Sequence, residues 1–188
     1  MRVIFLVALA LTVTAGVSPS HAQMVSIFAD SLGTRCDIPV HPGTPGHAFL
    51  LFQQGTLGGI SGWACRVQGL PSGWFGFADT EWVPLPFDNY LFEGGTVLAW
   101  PICQDDNTLI LARLTIIATT EENNVGLLVT SRTPLVNPEL DCALVTQCDA
   151  PVYTATCVAG GTAIINSVEP CVIAVTPTSW TRIKRLYD

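Results

Sequence analysis

The sequence predicts an all-β fold, an antiparallel two-layer β-sandwich of roughly eight to ten short strands. Three observations carry this expectation. Apolar residues recur mostly with period two, the spacing of a pleated strand with one buried face. Proline and glycine, 13 and 16 of 188 residues, break that pattern at short intervals, as in HPGTPG at 41–46, LPSG at 70–73 and VPLP at 83–86. Charge is sparse, 12% against 49% hydrophobic residues, a composition that buries a core and does not stay disordered.

The first element is expected to be removed. Arg2 gives a short positive start, residues 3–13 are almost wholly apolar, and Ser20-His21-Ala22 places small residues at a cleavage site. That is the layout of a secretory signal over 1–22, cut after Ala22. The apolar run is shorter than the roughly 20 residues a bilayer span requires. Residues 23–188 are then expected to form one domain, secreted, periplasmic or on the cell surface, and not membrane-spanning after cleavage. Loss of Arg2 moves the net charge from −7 to −8. So acidic a chain lacks the basic footprint that nucleic acid requires.

Within that domain, MVSIFAD alternates Val25, Ile27 and Ala29 against Met24, Ser26 and Phe28. GWACRVQG sets Trp63, Cys65 and Val67 on one face and Ala64, Arg66 and Gln68 on the other. LILARLTIIATT places Ile110, Ala112, Leu114, Ile116 and Ala118 on one face and Arg113, Thr115 and Thr119 on the other. Its β-branched TIIATT favours strand over helix. VGLLVTS follows the turn Glu121–Asn124, so these two runs read as a hairpin. VYTATCVAGGTAIIN reads as a second hairpin about Gly160-Gly161, and CVIAVTP as a final strand. The tail carries the one helical signal, at about 179–187. Ser179 is placed to cap it, and Trp180, Ile183 and Tyr187 fall on one face. Arg182, Lys184 and Arg185 make its other side basic, suited to water or to docking on an anionic envelope surface.

The seven cysteines are Cys36, Cys65, Cys103, Cys142, Cys148, Cys157 and Cys171. In an exported chain, disulfides are the default. The closest spacing is C-x5-C, unlike zinc pairs or the C-x-x-C of redox sites. Spacing does not settle connectivity. The pairing expected is Cys36 with Cys65 and two bridges among Cys142, Cys148, Cys157 and Cys171. Because seven is odd, Cys103 is expected to be the free thiol.

Few residues offer catalysis. G-x-S-x-G is absent, and after loss of the signal only His41 and His47 remain as histidines. Their H-x5-H spacer is rich in proline and glycine and offers no third metal ligand. Asp79 and Glu81 would share a strand face as a carboxylate pair, but a chain with fifteen acids contains such pairs by composition. QDDN at 104–107 and EENN at 121–124 offer oxygens for calcium without the twelve-residue loop pattern, and such runs are usually turns. No catalytic residue, metal site or cofactor is expected. The segment 74–92 is dense in aromatics. Either these fill the core, or Trp74, Trp82 and Tyr90 form a platform on which sugar rings stack.

Four phrases together carry a resemblance: ISGWACRVQGLPSG, LTIIATT, CVAGGTAIINS and SWTRIKRLY. The chain resembles a loose group of exported, cysteine-containing proteins of environmental bacteria, built as cohesin-like or immunoglobulin-like β-sandwiches. The resemblance covers most of residues 23–188 through structural motifs. It implies a jelly-roll or immunoglobulin-like sandwich, favours Cys65 pairing with Cys36, and implies that Cys103 has lost a partner found soon after it in relatives. It carries over no catalytic residue. The function expected is therefore a non-enzymatic structural, adhesive or binding role at the bacterial cell envelope or exterior, with a glycan or an envelope protein as partner. The alternative is a carbohydrate-binding module using the aromatics of 74–92.

Overall fold

A computed structural model describes residues 23–55, 57–80, 83–88, 90–134, 140–148 and 154–169. The expected signal at 1–22, the strand CVIAVTP, the tail helix at 179–187, Glu81, Trp82 and Cys171 lie outside the described residues.

Twelve strands and one helical turn follow in order: β1 (Met24–Phe28), β2 (Asp37–Ile38), β3 (Gly46–Gln53), β4 (Ile60–Gln68), β5 (Phe75–Thr80), β6 (Val83–Asp88), α1 (Tyr90–Glu93), β7 (Thr96–Gln104), β8 (Thr108–Ile117), β9 (Val125–Thr130), β10 (Ala143–Gln147), β11 (Thr154–Gly160) and β12 (Thr162–Ile165). Hydrogen bonding orders them β2-β12-β9-β4-β10-β11-β1-β3-β8-β5-β6, with β7 on β4. Pairing is antiparallel except for β1 with β11 and β2 with β12. One layer is β1-β3-β8-β5-β6. The other is built on β4, with β7 on it and the lines β9–β10 and β11–β12 beyond. Strand β1 belongs to both, pairing with β3 and β11.

The core follows from the period-two pattern. Val25, Ile27, Leu50, Phe52, Trp63, Val67, Leu114, Ile116, Leu127, Val145 and Ile165 are all buried in one cluster. The strand expected over LILARLTIIATT is β8. Ala112, Leu114, Ile116 and Ala118 are buried while Arg113 is exposed. A bulge opposite Leu50/Leu51 interrupts the alternation, so Ile110 is half-buried and Leu111 is buried. Ser26 and Phe28, on the other side of β1, are also buried. Gly33 of the 29–35 loop lies over Phe28 and Leu51.

Two expected hairpins are not hairpins. Strands β8 and β9 do not pair: β8 bonds to β3 and β5, and β9 to β12 and β4. The turn at 121–124 therefore carries the chain from one layer to the other. Strands β11 and β12 also do not pair. They run on through Gly160-Gly161, β11 against β10 and β12 against β9. Glycine is needed there for close approach. A Cβ at Gly160 would strike the Val129 carbonyl, and one at Gly161 would strike the Ser26 side chain.

The expected cysteine pairing is corrected as well. Cys103 is not free; it is bonded to Cys148. Cys142 is bonded to Cys157, and Cys36 is disulfide-bonded. Among the described residues Cys65 is the free cysteine, buried between the layers. The cause is orientation. The alternation that buries Trp63 and Val67 turns Cys65 inward too, opposite Thr96 of β7. At the far end of the sheet, the Cys148 N–H donates to the Gly59 carbonyl at 3.1 Å. This anchors Cys148 within reach of the end of β7.

A buried thiol resists ionisation, and burial pushes the Cys65 thiol well above its ordinary range. Iodoacetamide added to the native, unreduced protein is therefore expected to leave Cys65 unlabelled, whereas the same reagent in denaturant labels it. Peptide mapping that found Cys65 alkylated in the native state would contradict this orientation.

Candidate functional site

The sugar platform expected from Trp74, Trp82 and Tyr90 is not assembled among the described residues. Trp74 is buried at 6% exposure, and its indole N–H donates to Thr120 Oγ1 at 3.0 Å. Tyr90 is 64% exposed on α1, the turn whose Leu91 is fully buried and whose Phe92 ring lies against Gly76. Among the described residues of β5 the outward aromatics are Phe75 and Phe77, in line with Asp79. They lie beside Ile117, Thr115 and Arg113 of β8 respectively. Period two along FGFADT is the signal that points to them.

The histidines do not converge. His41 closes a small bridge with Thr44, and His47 stands on β3 with Nδ1 at 3.4 Å from Thr115 Oγ1. Among the described residues no group of three His, Cys, Asp or Glu side chains is arranged to hold a metal ion. The Asp/Asn-rich turn at 121–124 has structural partners. Asn124 Oδ1 accepts from Val168 N–H, and Glu122 Oε1 accepts from Thr120 Oγ1.

Two features remain, and they adjoin. The first is an apolar sheet face. Alternation on β4 turns Gly62, Ala64, Arg66 and Gln68 outward, since Trp63, Cys65 and Val67 are in the core. Register then places Ala99 and Val97 of β7 beside Gly62 and Ala64, and Leu144 of β10 on the other side of Ala64. Val97 is 52% exposed, and Ile102 further along β7 is 66% exposed. Gly62, Ala64 and Leu144 are themselves buried, so the exposed part of this face is on β7, and the disulfide Cys142–Cys157 flanks Leu144. Beyond its pairing with β4, no strand partner adds to β7 among the described residues.

The second feature is a polar cleft of about 470 Å³ at the end of that face, lined by Gln68, Thr130, Ser131, Thr133 and Asp141 over a floor that includes Val129 and Val158. It exists because the line of β9 and β10 is broken. Thr130 lies opposite Arg66 and Leu144 opposite Ala64, yet residues 131–142 intervene. The excursion starts by reaching the head of β7, where Thr133 N–H donates to the Gly94 carbonyl at 2.6 Å. Ser131 Oγ donates to Asp141 Oδ1 across the mouth of the loop. No histidine lines the cleft among the described residues.

With this geometry in place, comparison with solved structures decides the architecture. The seventh ScaB type I cohesin from Pseudobacteroides cellulosolvens superposes with a TM-score of 0.51 at 13% identity, covering 82% of this chain and 98% of that one. The fold is a cohesin-like β-sandwich. A cohesin module of a family 33 glycoside hydrolase from Clostridium perfringens gives a TM-score of 0.40 at 12% identity, over 78% of this chain and 98% of that one. No protein-family model and no curated protein matches the sequence. The cohesin-like sandwich agrees with the all-β antiparallel class read from period two and turn spacing. Neither the apolar face of β7 nor the broken β9–β10 line was legible in the chain, because both depend on which strands become neighbours.

Proposed function

We propose that the chain is an exported, non-enzymatic binding module of the bacterial cell exterior or envelope, formed by residues 23–188, that docks a protein partner on the outer face of β7, β4 and β10. The observation that carries this is the exposed, uncharged apolar surface of Val97, Ala99 and Ile102 on β7, next to its outer edge. Exposed side chains of this type on a rigid sheet gain from burial at about 25 cal/mol per Å², and a neighbouring strand edge adds main-chain hydrogen bonds. The disulfides Cys103–Cys148 and Cys142–Cys157 support an oxidising destination. The cohesin-like fold supports a binding role over a catalytic one.

The test is direct. A protein captured by the immobilised chain is purified and its affinity measured against wild type and Val97→Asp. A charge on the face is expected to weaken binding at least tenfold, on the order of 1.4 kcal/mol, without shifting the melting temperature, because Val97 points away from the core. Unchanged affinity places the partner elsewhere and removes the proposal. The carbohydrate reading keeps one supporting observation, Phe75 at 56% exposure beside Phe77 on β5. Glycan-array binding lost in Phe75→Ala and kept in Val97→Asp would favour that reading instead.

A further inference from the structure

The row of outward residues on β4 passes from Gly62 and Ala64 to Arg66 and then Gln68. Among the described residues of β4, β7 and β10, Arg66 is the one charged outward side chain on the face. A second arginine is brought to it by the β9–β10 excursion. Arg132 Cγ and Cα lie 2.9 and 3.0 Å from where a Cβ on Gly95 would stand, and the Cys65 carbonyl lies 2.7 Å from the same point. Gly95 immediately precedes Thr96, which pairs with Cys65, so Arg132 sits over the sheet next to Arg66.

Neither guanidinium is neutralised. Both Nε atoms are buried without a hydrogen-bond partner. Arg132 Nη1 donates to the Pro134 carbonyl at 3.2 Å, a neutral acceptor. Among the described residues neither arginine has an acidic partner, in a chain of net charge −7 with fifteen acids. Both arginines are half-buried, and unpaired donors in such a place carry a desolvation cost. Guanidinium forks match planar carboxylates with two parallel hydrogen bonds.

The geometry points to Arg66 and Arg132 as a carboxylate-reading site at the cleft end of the docking face, taking an Asp or Glu side chain of the protein partner. This rests on the docking reading above. Charge selects the class of anion. The two arginines and the nearby Asp141 of the cleft leave one net positive charge, which a carboxylate balances and a phosphate dianion exceeds. The hydroxyls of Thr130 and Thr133 and the Gln68 amide line the cleft next to it and are placed to bond the partner's main chain. The continuity with the exposed Val97 and Ala99 favours a polypeptide, apolar with an acid at one end.

The experiment follows the arginine Nε–H signals in 15N-labelled protein, assigned by their loss in Arg66→Gln and Arg132→Gln. The probes are acetyl-Leu-Thr-Glu-Leu-Thr-amide, its glutamine counterpart, sodium acetate, sodium phosphate and tri-galacturonate. The glutamate peptide is expected to shift both signals saturably, with at least tenfold weaker binding of the glutamine peptide and of either single variant. Equal binding of the two peptides, or no shift with the glutamate peptide, overturns the site. Phosphate binding as tight as the peptide overturns the carboxylate assignment, and tighter tri-galacturonate binding overturns the polypeptide assignment. Val97→Asp separates the two readings. If it leaves peptide binding intact while the arginine variants abolish it, the apolar face fails and the arginine pair stands; the reverse pattern sinks the pair and keeps the face.

Discussion

Replacing Cys103 and Cys148 together by serine is expected to cost about 4 kcal/mol of stability and to lower the melting temperature by about 10 °C. The bridge closes a sequence separation of 45, and the loss scales with the logarithm of the loop it no longer closes in the unfolded chain. It also ties the end of β7 to the residue after β10, two strands that share β4 but do not pair with each other. The corresponding double serine variant of Cys142 and Cys157, closing a separation of 15, is expected to cost about 3 kcal/mol, since the shorter loop restrains less entropy. Differential scanning calorimetry of the two variants measures both. The single variant Cys103→Ser is the sharpest check of the pairing. Were Cys103 a spare thiol, its loss would be silent; as half of a bridge, its loss is destabilising and unmasks a reactive thiol at Cys148. A change under about 2 °C, or a non-reduced peptide map lacking the Cys103–Cys148 fragment, overturns the assignment.

The second large effect is expected at Asn166, just beyond β12. Its side chain joins three separate parts of the chain. Val40 N–H donates to Asn166 Oδ1 at 2.9 Å, and Asn166 Nδ2 donates to the Val40 carbonyl at 2.6 Å and the Glu122 carbonyl at 2.9 Å. Its backbone is used as well: Asn166 N–H donates to the Ile38 carbonyl, and its own carbonyl accepts from Asn124 N–H, both at 3.1 Å. The residue has φ of 50°, a left-handed conformation that asparagine tolerates and alanine does not favour. Asn166→Ala deletes three side-chain hydrogen bonds and adds backbone strain, so about 3 kcal/mol is expected, read as a fall in urea midpoint at unchanged slope. Asn166→Gly relieves the strain without restoring the bonds and falls between the two. Asn166→Asp is expected to be worse than glycine at neutral pH, because a carboxylate then faces the carbonyl oxygens of Val40 and Glu122 where an amide had donated. An alanine variant as stable as wild type would remove Asn166 from this role.

Much of the strand content was legible in the chain, for a local reason. Period two is imposed by the pleat, so Val25 and Ile27, Trp63 and Val67, and Leu114 and Ile116 declare their buried face without knowledge of any partner. The same alternation carried Cys65 inward, and its expected bridge to Cys36 failed because covalent pairing requires two side chains to meet, which alternation does not report. The turn signals at 121–124 and 160–161 were also read correctly as breaks and wrongly as hairpins. A glycine pair suits a tight turn and a close strand crossing equally well, and only the Val129 carbonyl and the Ser26 side chain distinguish them.

The candidate site divides along the same line. By itself the sequence determined the composition of the outward row on β4, small residues followed by Arg66 and Gln68, and it excluded a nucleic-acid footprint by charge. Only the tertiary structure decided that Val97 and Leu144 flank that row, that a cleft lined by Ser131, Thr133 and Asp141 opens at its end, and that Arg132 packs against Gly95 close to the Cys65 carbonyl. The physical reason is loop closure. A residue's face is set by its immediate neighbours, but its contacts across a sandwich are chosen among many distant partners by the packing free energy of the whole domain, and no local pattern encodes that choice.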